Sequence, residues 1–287
     1  MSFKPIGKVS NFADEETMQL LALWKESVSI VELDEVDPKE LLFEEYSHYI
    51  VVHDPLEMEF PEKRDEWNKR FCRHTGVSVV ELIKVDGNKI YFKGLFAKNR
   101  APVYGVMPYT SFDSKEAEFP PAGMEILKKQ TMDVALPHVD GSTILDAGCG
   151  VGSLTLQMAR MNPEAKVTGI DLLERTMEQC RLNAISYDIE NTSFKAASIY
   201  ELPFEDESFD TVTCFFMLHH LDDIPKALSE ARRMIPGTGK VLAVEPLDHN
   251  HGIERGIQDW IDHFENAGFS VETQQISRAV FITARPN

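Results

Sequence analysis

From about Asp140 onward, the apolar and polar positions switch repeatedly between two spacings. Short, densely apolar runs predict strands: "TILDA" (143–147), "KVTGIDL" (166–172), "TSFKAAS" (192–198), "FDTVTCFFML" (209–218) and "GKVLAVEP" (239–246). Between them lie stretches with apolar residues every three or four positions, which predict helices. These are "SLTLQMARM" (153–161), "ERTMEQCRLNAISY" (174–187), "IPKALSEARRMI" (224–235) and "IERGIQDWIDHFENAG" (253–268). In the third, Ile224, Ala227, Leu228, Ala231 and Ile235 share one face; in the fourth the stripe is Ile253, Ile257, Trp260, Ile261 and Phe264. The run 209–218 is almost wholly apolar, as expected of a parallel strand covered on both faces. Two closing runs, "SVETQQIS" and "AVFITAR", have a tight connection and are expected to be antiparallel. The alternation predicts an α/β domain: a doubly wound, mostly parallel seven-stranded sheet of Rossmann-like type.

The N-terminal part follows another pattern. "VSIVEL" (28–33) and "YSHYIVV" (46–52) predict strands, and "VVELIKVDGNKIYFKGLF" (79–96) a hairpin turning at Asp86-Gly87-Asn88. "ETMQLLALWKE" (16–26) and "PEKRDEWNKRFCRHTG" (61–76) predict helices. The segment "APVYGVMPYTSFDSKEAEFPPAG" (101–123) is too irregular for one regular element. The expected organisation is a small α+β domain over residues 1–115, serving as substrate domain, lid or dimerisation unit, followed by a cofactor domain over 116–287. An edge strand in the first domain offers a route to a homo-oligomer.

Composition narrows the partners. Lys and Arg number 29 against 47 Asp and Glu, a formal charge of -18. No run of basic residues exceeds two, so a nucleic-acid partner is not expected. The N-terminus lacks an apolar signal core and no stretch approaches a membrane span, so neither a membrane partner nor export is expected and the cytoplasm is the expected location. Cys72, Cys149, Cys180 and Cys214 are far apart and form no CxxC pair, so neither a disulfide framework nor a metal site is expected.

The first strand of the cofactor domain runs straight into "LDAGCGVGSLT" (145–155), with Asp146 ahead of Gly148, Gly150 and Gly152. In an open α/β sheet this is where a nucleotide-like ligand lies. The dinucleotide fingerprint is G-x-G-x-x-G; here the spacing is G-x-G-x-G. A carboxylate at the strand end disfavours a pyrophosphate, which seeks helix-end N–H groups. Asp171 closes the second strand, where an acid takes ribose hydroxyls. Two acids bracketing the loop suit a cationic adenosine, S-adenosyl-L-methionine (SAM).

Four stretches then carry a resemblance: "LDAGCGVGSLT", "VTGIDLLERTME", "ELPFEDESFDTVTCFFMLHHLDD" and "IPGTGKVLAVEP". In this order they resemble the class I SAM-dependent methyltransferases, over roughly residues 124–287. The resemblance implies that Gly148, Cys149 and Gly150 line the methionine moiety with backbone atoms, and that Asp146 helps to hold its amino group. It implies that Asp171 binds the ribose hydroxyls, with Leu172 against the adenine and Ala197, Ser198 and Ile199 flanking its edge. Ser198 stands where the family often carries Asp; a hydroxyl keeps one hydrogen bond. Phe215 is expected to offer its carbonyl to the amino group.

Methyl transfer from a sulfonium is an in-line displacement, so positioning does most of the work. A base is needed only if the acceptor must lose a proton. His219 and His220, after the fourth strand, are candidates. Glu245, His249 and His251 are expected in the loop after the fifth strand, where they either meet an acceptor or belong to a solvated polar loop. Tyr104, Tyr109 and Phe112 form an aromatic segment that either closes the cofactor pocket or docks the two domains. Tyr46, His48, Tyr49 and His53 alternate partly along a strand and either face a substrate cavity or belong to a half-buried sheet. The expected function is methyl transfer to a small-molecule N, O or S nucleophile. Two alternatives stay open: a protein or peptide methyltransferase, and a non-catalytic SAM-binding subunit.

Overall fold

The structure, a computed structural model, describes residues 4–12, 26–34, 38, 46–54, 76–109, 124–247 and 255–287. The chain divides into two compact units, Met1–Phe119 with Glu178–Asp188, and Pro120–Met177 with Ile189–Asn287.

In the first unit the described strands are β1 (Gly7–Ser10), β2 (Val28–Leu33), β3 (His48–His53), β4 (Gly76–Asp86), β5 (Lys89–Lys93) and β6 (Pro102–Pro108). They close into an antiparallel barrel in the order β1-β2-β5-β4-β3-β6. The ring is completed where Gly7 and Lys8 pair with Val103 and Pro102. Alternation along β3 turns Tyr49, Val51 and His53 inward, where Tyr49 packs with Phe92, Val31, Val80 and Val103. The β4–β5 hairpin turns at Gly87-Asn88, with Gly87 at φ +57°.

The two N-terminal helices expected at 16–26 and 61–76 lie outside the described residues, so the helical part of the α+β expectation falls there. Two other expectations change. The start of the segment at 101–123 is a regular strand, β6; its prolines stand at the two ends, where a missing N–H disturbs the ladder least. The strands also leave no open edge, because closure consumes it. That removes the edge-pairing route to a homo-oligomer from β1–β6.

The second unit is a seven-stranded mixed sheet. It is built from β7 (Thr143–Ala147), β8 (Lys166–Asp171), β9 (Thr192–Ala196), β10 (Thr211–Phe215), β11 (Lys240–Pro246), β12 (Phe269–Ile276) and β13 (Ala279–Pro286), in the order β12-β13-β11-β10-β7-β8-β9. The strands from β9 to β11 run parallel, and β13 lies antiparallel to both β11 and β12. The helices that accompany these strands along the chain are α1 (Met124–Ala135), α2 (Ser153–Met161), α3 (Glu174–Ser186), α4 (Ile224–Met234) and α5 (Ile257–Asn266), with α3 from Glu178 onward assigned to the first unit.

Apolar clusters cover the two faces. One gathers Ala227, Leu228 and Ala231 of α4 with Trp260 and Phe264 of α5 over Leu145, Val212 and Ala243. The other gathers Leu127 and Met132 of α1 with Met158 and Ala159 of α2 over Ile144, Val167 and Leu242. Helix α4 starts where Asp223 accepts the Lys226 N–H at 3.0 Å, with a proline in its first turn. Helix α5 begins at Ile257, where Asp259 accepts the Gly256 N–H at 2.7 Å; Ile253 lies outside the described residues. Among the described residues no helix is long and apolar enough to cross a membrane.

Candidate functional site

The strand order reverses direction at β7, so the carboxyl ends of β7, β8 and β10 border one crevice. The glycine loop follows β7. Gly148 has φ +73°, and a Cβ placed on it would lie 2.8 Å from the Met217 Cβ. The side chain is therefore excluded both by backbone conformation and by a neighbouring residue of the same chain. Gly152, at φ +83°, is the N-cap of α2. The N–H groups of Gly148 and Cys149 both donate to the Ile170 carbonyl at 2.9 Å, which ties the loop to β8. Cys149 packs against β8: a Cβ on Gly169 would meet its sulfur at 3.0 Å.

Asp146 is 2% exposed. Its Oδ2 accepts from the Thr155 hydroxyl at 2.6 Å and its Oδ1 from the Thr213 hydroxyl at 2.9 Å. It thus joins β7, α2 and β10. Burial raises its pKa to about 6; the two hydroxyls and the charge of Lys128 pull the other way. Asp171, at the end of β8, accepts the Gly150 N–H at 3.0 Å and the Leu172 N–H at 2.7 Å. Beside it Leu172 is 70% exposed, a large apolar side chain with no core to serve.

Ser198 accepts the Tyr200 N–H at 3.2 Å through its hydroxyl. Ile199 is buried in the core cluster, packed with residues such as Leu202 and Phe209. The turn is braced from α4, where Glu230 accepts the Leu202 N–H at 2.9 Å and Arg233 donates to the carbonyls of Leu202 and Phe204.

Strand β10 stops earlier than its apolar run. Phe215 is its last residue, and Phe216 takes φ +55°, a left-handed conformation rarely adopted by a bulky side chain. A short 3-10 turn, Leu218–His220, follows. Its anchor is Glu245, which lies within β11 rather than in the loop after it and is 0% exposed, because both faces of β11 are covered. Glu245 accepts the N–H groups of Met217 (3.2 Å), Leu218 (2.8 Å) and His219 (3.3 Å), and pairs with the His219 Nδ1 at 2.5 Å. Periodicity alone gave no sign of this pairing; the signal was a carboxylate inside an otherwise apolar strand.

The structure therefore brings together Asp146, Gly148, Cys149, Gly150, Asp171, Phe215, His219 and Glu245 around neighbouring strand ends. His219 is buried, whereas His220 is exposed with its ring centroid 4.0 Å from that of His219. His249, His251 and Phe112 lie outside the described residues. In the first unit, Tyr109 donates its N–H to the His48 carbonyl at 3.0 Å and Tyr104 its hydroxyl to Asp54 at 2.8 Å. Tyr49 and His53 are interior residues of the barrel; His53 bonds the Asp54 carbonyl through Nδ1 and Ser78 through Nε2. Among the described residues no group of three or more His, Cys, Asp or Glu is placed to hold a metal.

The second unit is thus a Rossmann-like sheet with an acid-flanked glycine loop and a second acid at the end of the next strand, the place where open α/β sheets bind nucleotide-like ligands. Residues 138–275 match the family model for a methyltransferase domain. The 2-phytyl-1,4-naphtoquinone methyltransferase of Nostoc sp. is 33% identical over 122 residues, 42% of this chain and 53% of that protein. The ubiquinone biosynthesis O-methyltransferase of Alkalilimnicola ehrlichii is 37% identical over 108 residues, 37% of this chain and 42% of that one. The chain thus spans about half the length of the curated relatives it matches. The 4+2 cyclase SpnF shares the fold, with a TM-score of 0.52 at 17% identity over 57% of this chain and 84% of its own. Over the segment 138–275 the chain is thus similar to SAM-dependent methyltransferases, a family whose cofactor is SAM.

Proposed function

We propose that this chain transfers a methyl group from SAM to a small-molecule acceptor. The observation that carries the reading is the hydrogen bond from the Gly150 N–H to Asp171: the two acids and the glycine loop are one locus. That locus fits the donor. Asp171 stands where a ribose binds, the exposed Leu172 offers an apolar face for adenine, and buried Asp146 supplies negative charge near the loop. When bound, SAM supplies an electrophilic methyl group on a sulfonium.

The chain's own residues then position and shield. Asp171 holds the ribose hydroxyls, with Leu172 and the 197–199 turn about the adenine. The loop backbone at 148–150 and the Phe215 carbonyl hold the amino-acid end. His220, exposed on the turn after β10, accepts a proton where the acceptor must lose one. The buried His219 serves to position. We assign substrate selection to the residues 1–115, as lid or specificity domain.

The two named relatives, by their names, act on a naphthoquinone and in ubiquinone biosynthesis. A small acceptor, quinone-like rings included, agrees with those names and with the formal charge of -18, which repels polyanions. The fold alone does not decide the reaction, since a cyclase shares it. Incubation with tritiated-methyl SAM and a size-fractionated cell extract tests the reading. Label in the low-mass fraction is expected. Label in protein would replace the acceptor class, and cofactor binding without label in any fraction would indicate a non-catalytic subunit.

A further inference from the structure

The reach of Glu245 extends past the turn it caps. We infer that Glu245 is a positioning residue for the methyl donor, acting through Met217 on the glycine loop; the inference rests on the proposed SAM reading. The carboxylate is fully buried and accepts three successive backbone N–H groups, those of Met217, Leu218 and His219, with the His219 imidazole as fourth donor. Nothing in the donor chemistry requires this set. A 3-10 turn at a strand end can give its N–H groups to water, yet here an acid from the next strand is sunk beneath it.

What the acid fixes is the place of Met217. That residue follows Phe216, whose left-handed backbone turns the chain sharply after Phe215. The Met217 side chain then lies over Gly148, so close that a Cβ there would meet Met217 Cβ at 2.8 Å, Cγ at 3.1 Å and Cε at 3.2 Å. Gly148 and Cys149 are held from the other side by the Ile170 carbonyl. The loop is thus clamped between β8 and a turn whose far end is pinned by Glu245. The Phe215 carbonyl and the loop backbone, the two groups assigned to the amino-acid end of SAM, flank that clamp.

Glutamine at 245 offers one acceptor oxygen and an NH2 group, so two of the four donors then face another donor. The test measures S-adenosylhomocysteine affinity by calorimetry for wild type, Glu245→Gln, Met217→Ala and the double variant. Each protein's fold is checked by circular dichroism. Glu245→Gln is expected to bind about tenfold more weakly while folded. The double variant is expected to be little worse than the poorer single one, because both changes break the same relay. A purely structural role lowers the melting temperature without this coupling in affinity. If Glu245→Gln does not fold, Glu245→Asp, which keeps both oxygens on a shorter stem, goes through the same cycle. Wild-type affinity in the folded 245 variant, or strictly additive effects, overturns the inference alone. No binding by wild type overturns the SAM reading and this inference with it.

Discussion

Asp171 Oδ2 accepts the N–H of Gly150 at 3.0 Å, so the acid that ends β8 closes directly on the loop that follows β7. Its other oxygen accepts the Leu172 N–H at 2.7 Å. Two backbone donors thereby fix the carboxylate before any ribose meets it. Asp171→Ala removes the ribose acceptor and the tie to the loop. Each hydrogen bond to a charged group contributes about 1.5–3 kcal/mol, so SAM affinity is expected to fall about a hundredfold or more. His220→Ala, by contrast, is expected to leave that affinity near wild type. Calorimetry with both variants checks the contrast.

Asp146 gives stability and binding opposite pH dependences. Its folded pKa, about 6, lies above the ordinary value of 3.8 because burial disfavours the anion. The folded state therefore holds this proton more tightly than the unfolded chain does. The resulting stabilisation is fully present below about pH 4 and is lost as pH rises through about 6, worth roughly 3 kcal/mol at most. In Asp146→Asn this group's share of the pH dependence disappears, which urea unfolding of both proteins from pH 4 to 7 would reveal. A cationic ligand favours the anion, so wild-type SAM affinity is expected to weaken below pH 6.

Gly148→Ala sets a methyl group against Met217 in a left-handed backbone. A loss of about 1–3 kcal/mol of stability is expected from strain alone. SAM affinity should fall in parallel, since the loop must move to relieve the contact. Chemical denaturation and ligand titration on the same preparation would show whether the two losses go together.

The two adjacent histidines are expected to separate cleanly. His219→Ala takes a partner from the buried Glu245 and should cost about 3 kcal/mol of stability. His220→Ala should leave stability nearly unchanged. If the acceptor must lose a proton, it lowers kcat by about a hundredfold or more and removes the corresponding pKa from the pH–rate profile. Melting curves and single-turnover rates distinguish the pair.

Much of the second unit was legible because its strands and helices have different periods and the connections are short. The α4 stripe Ile224, Ala227, Leu228 and Ala231 is buried as its spacing predicts, and the two closing runs do pair antiparallel. The end of β10 was not legible, since an apolar run does not reveal where a residue such as Phe216 turns left-handed. Nor was Glu245, whose burial depends on four donors contributed by a turn 26 to 28 residues earlier. The barrel escaped as well: alternation marks single strands, but closure depends on pairing β1 with β6, across most of the first unit. The glycines read as room for a visitor, yet at Gly148 the neighbour that excludes a side chain is Met217.

The central claim is that the locus formed by Asp146, the glycine loop and Asp171 holds the methyl donor. Isothermal titration of the purified full chain with S-adenosylhomocysteine tests it most directly, since no acceptor is needed. The account predicts saturable one-to-one binding, with a rise in melting temperature that grows with ligand concentration. No heat of binding and no thermal shift up to millimolar ligand would contradict it.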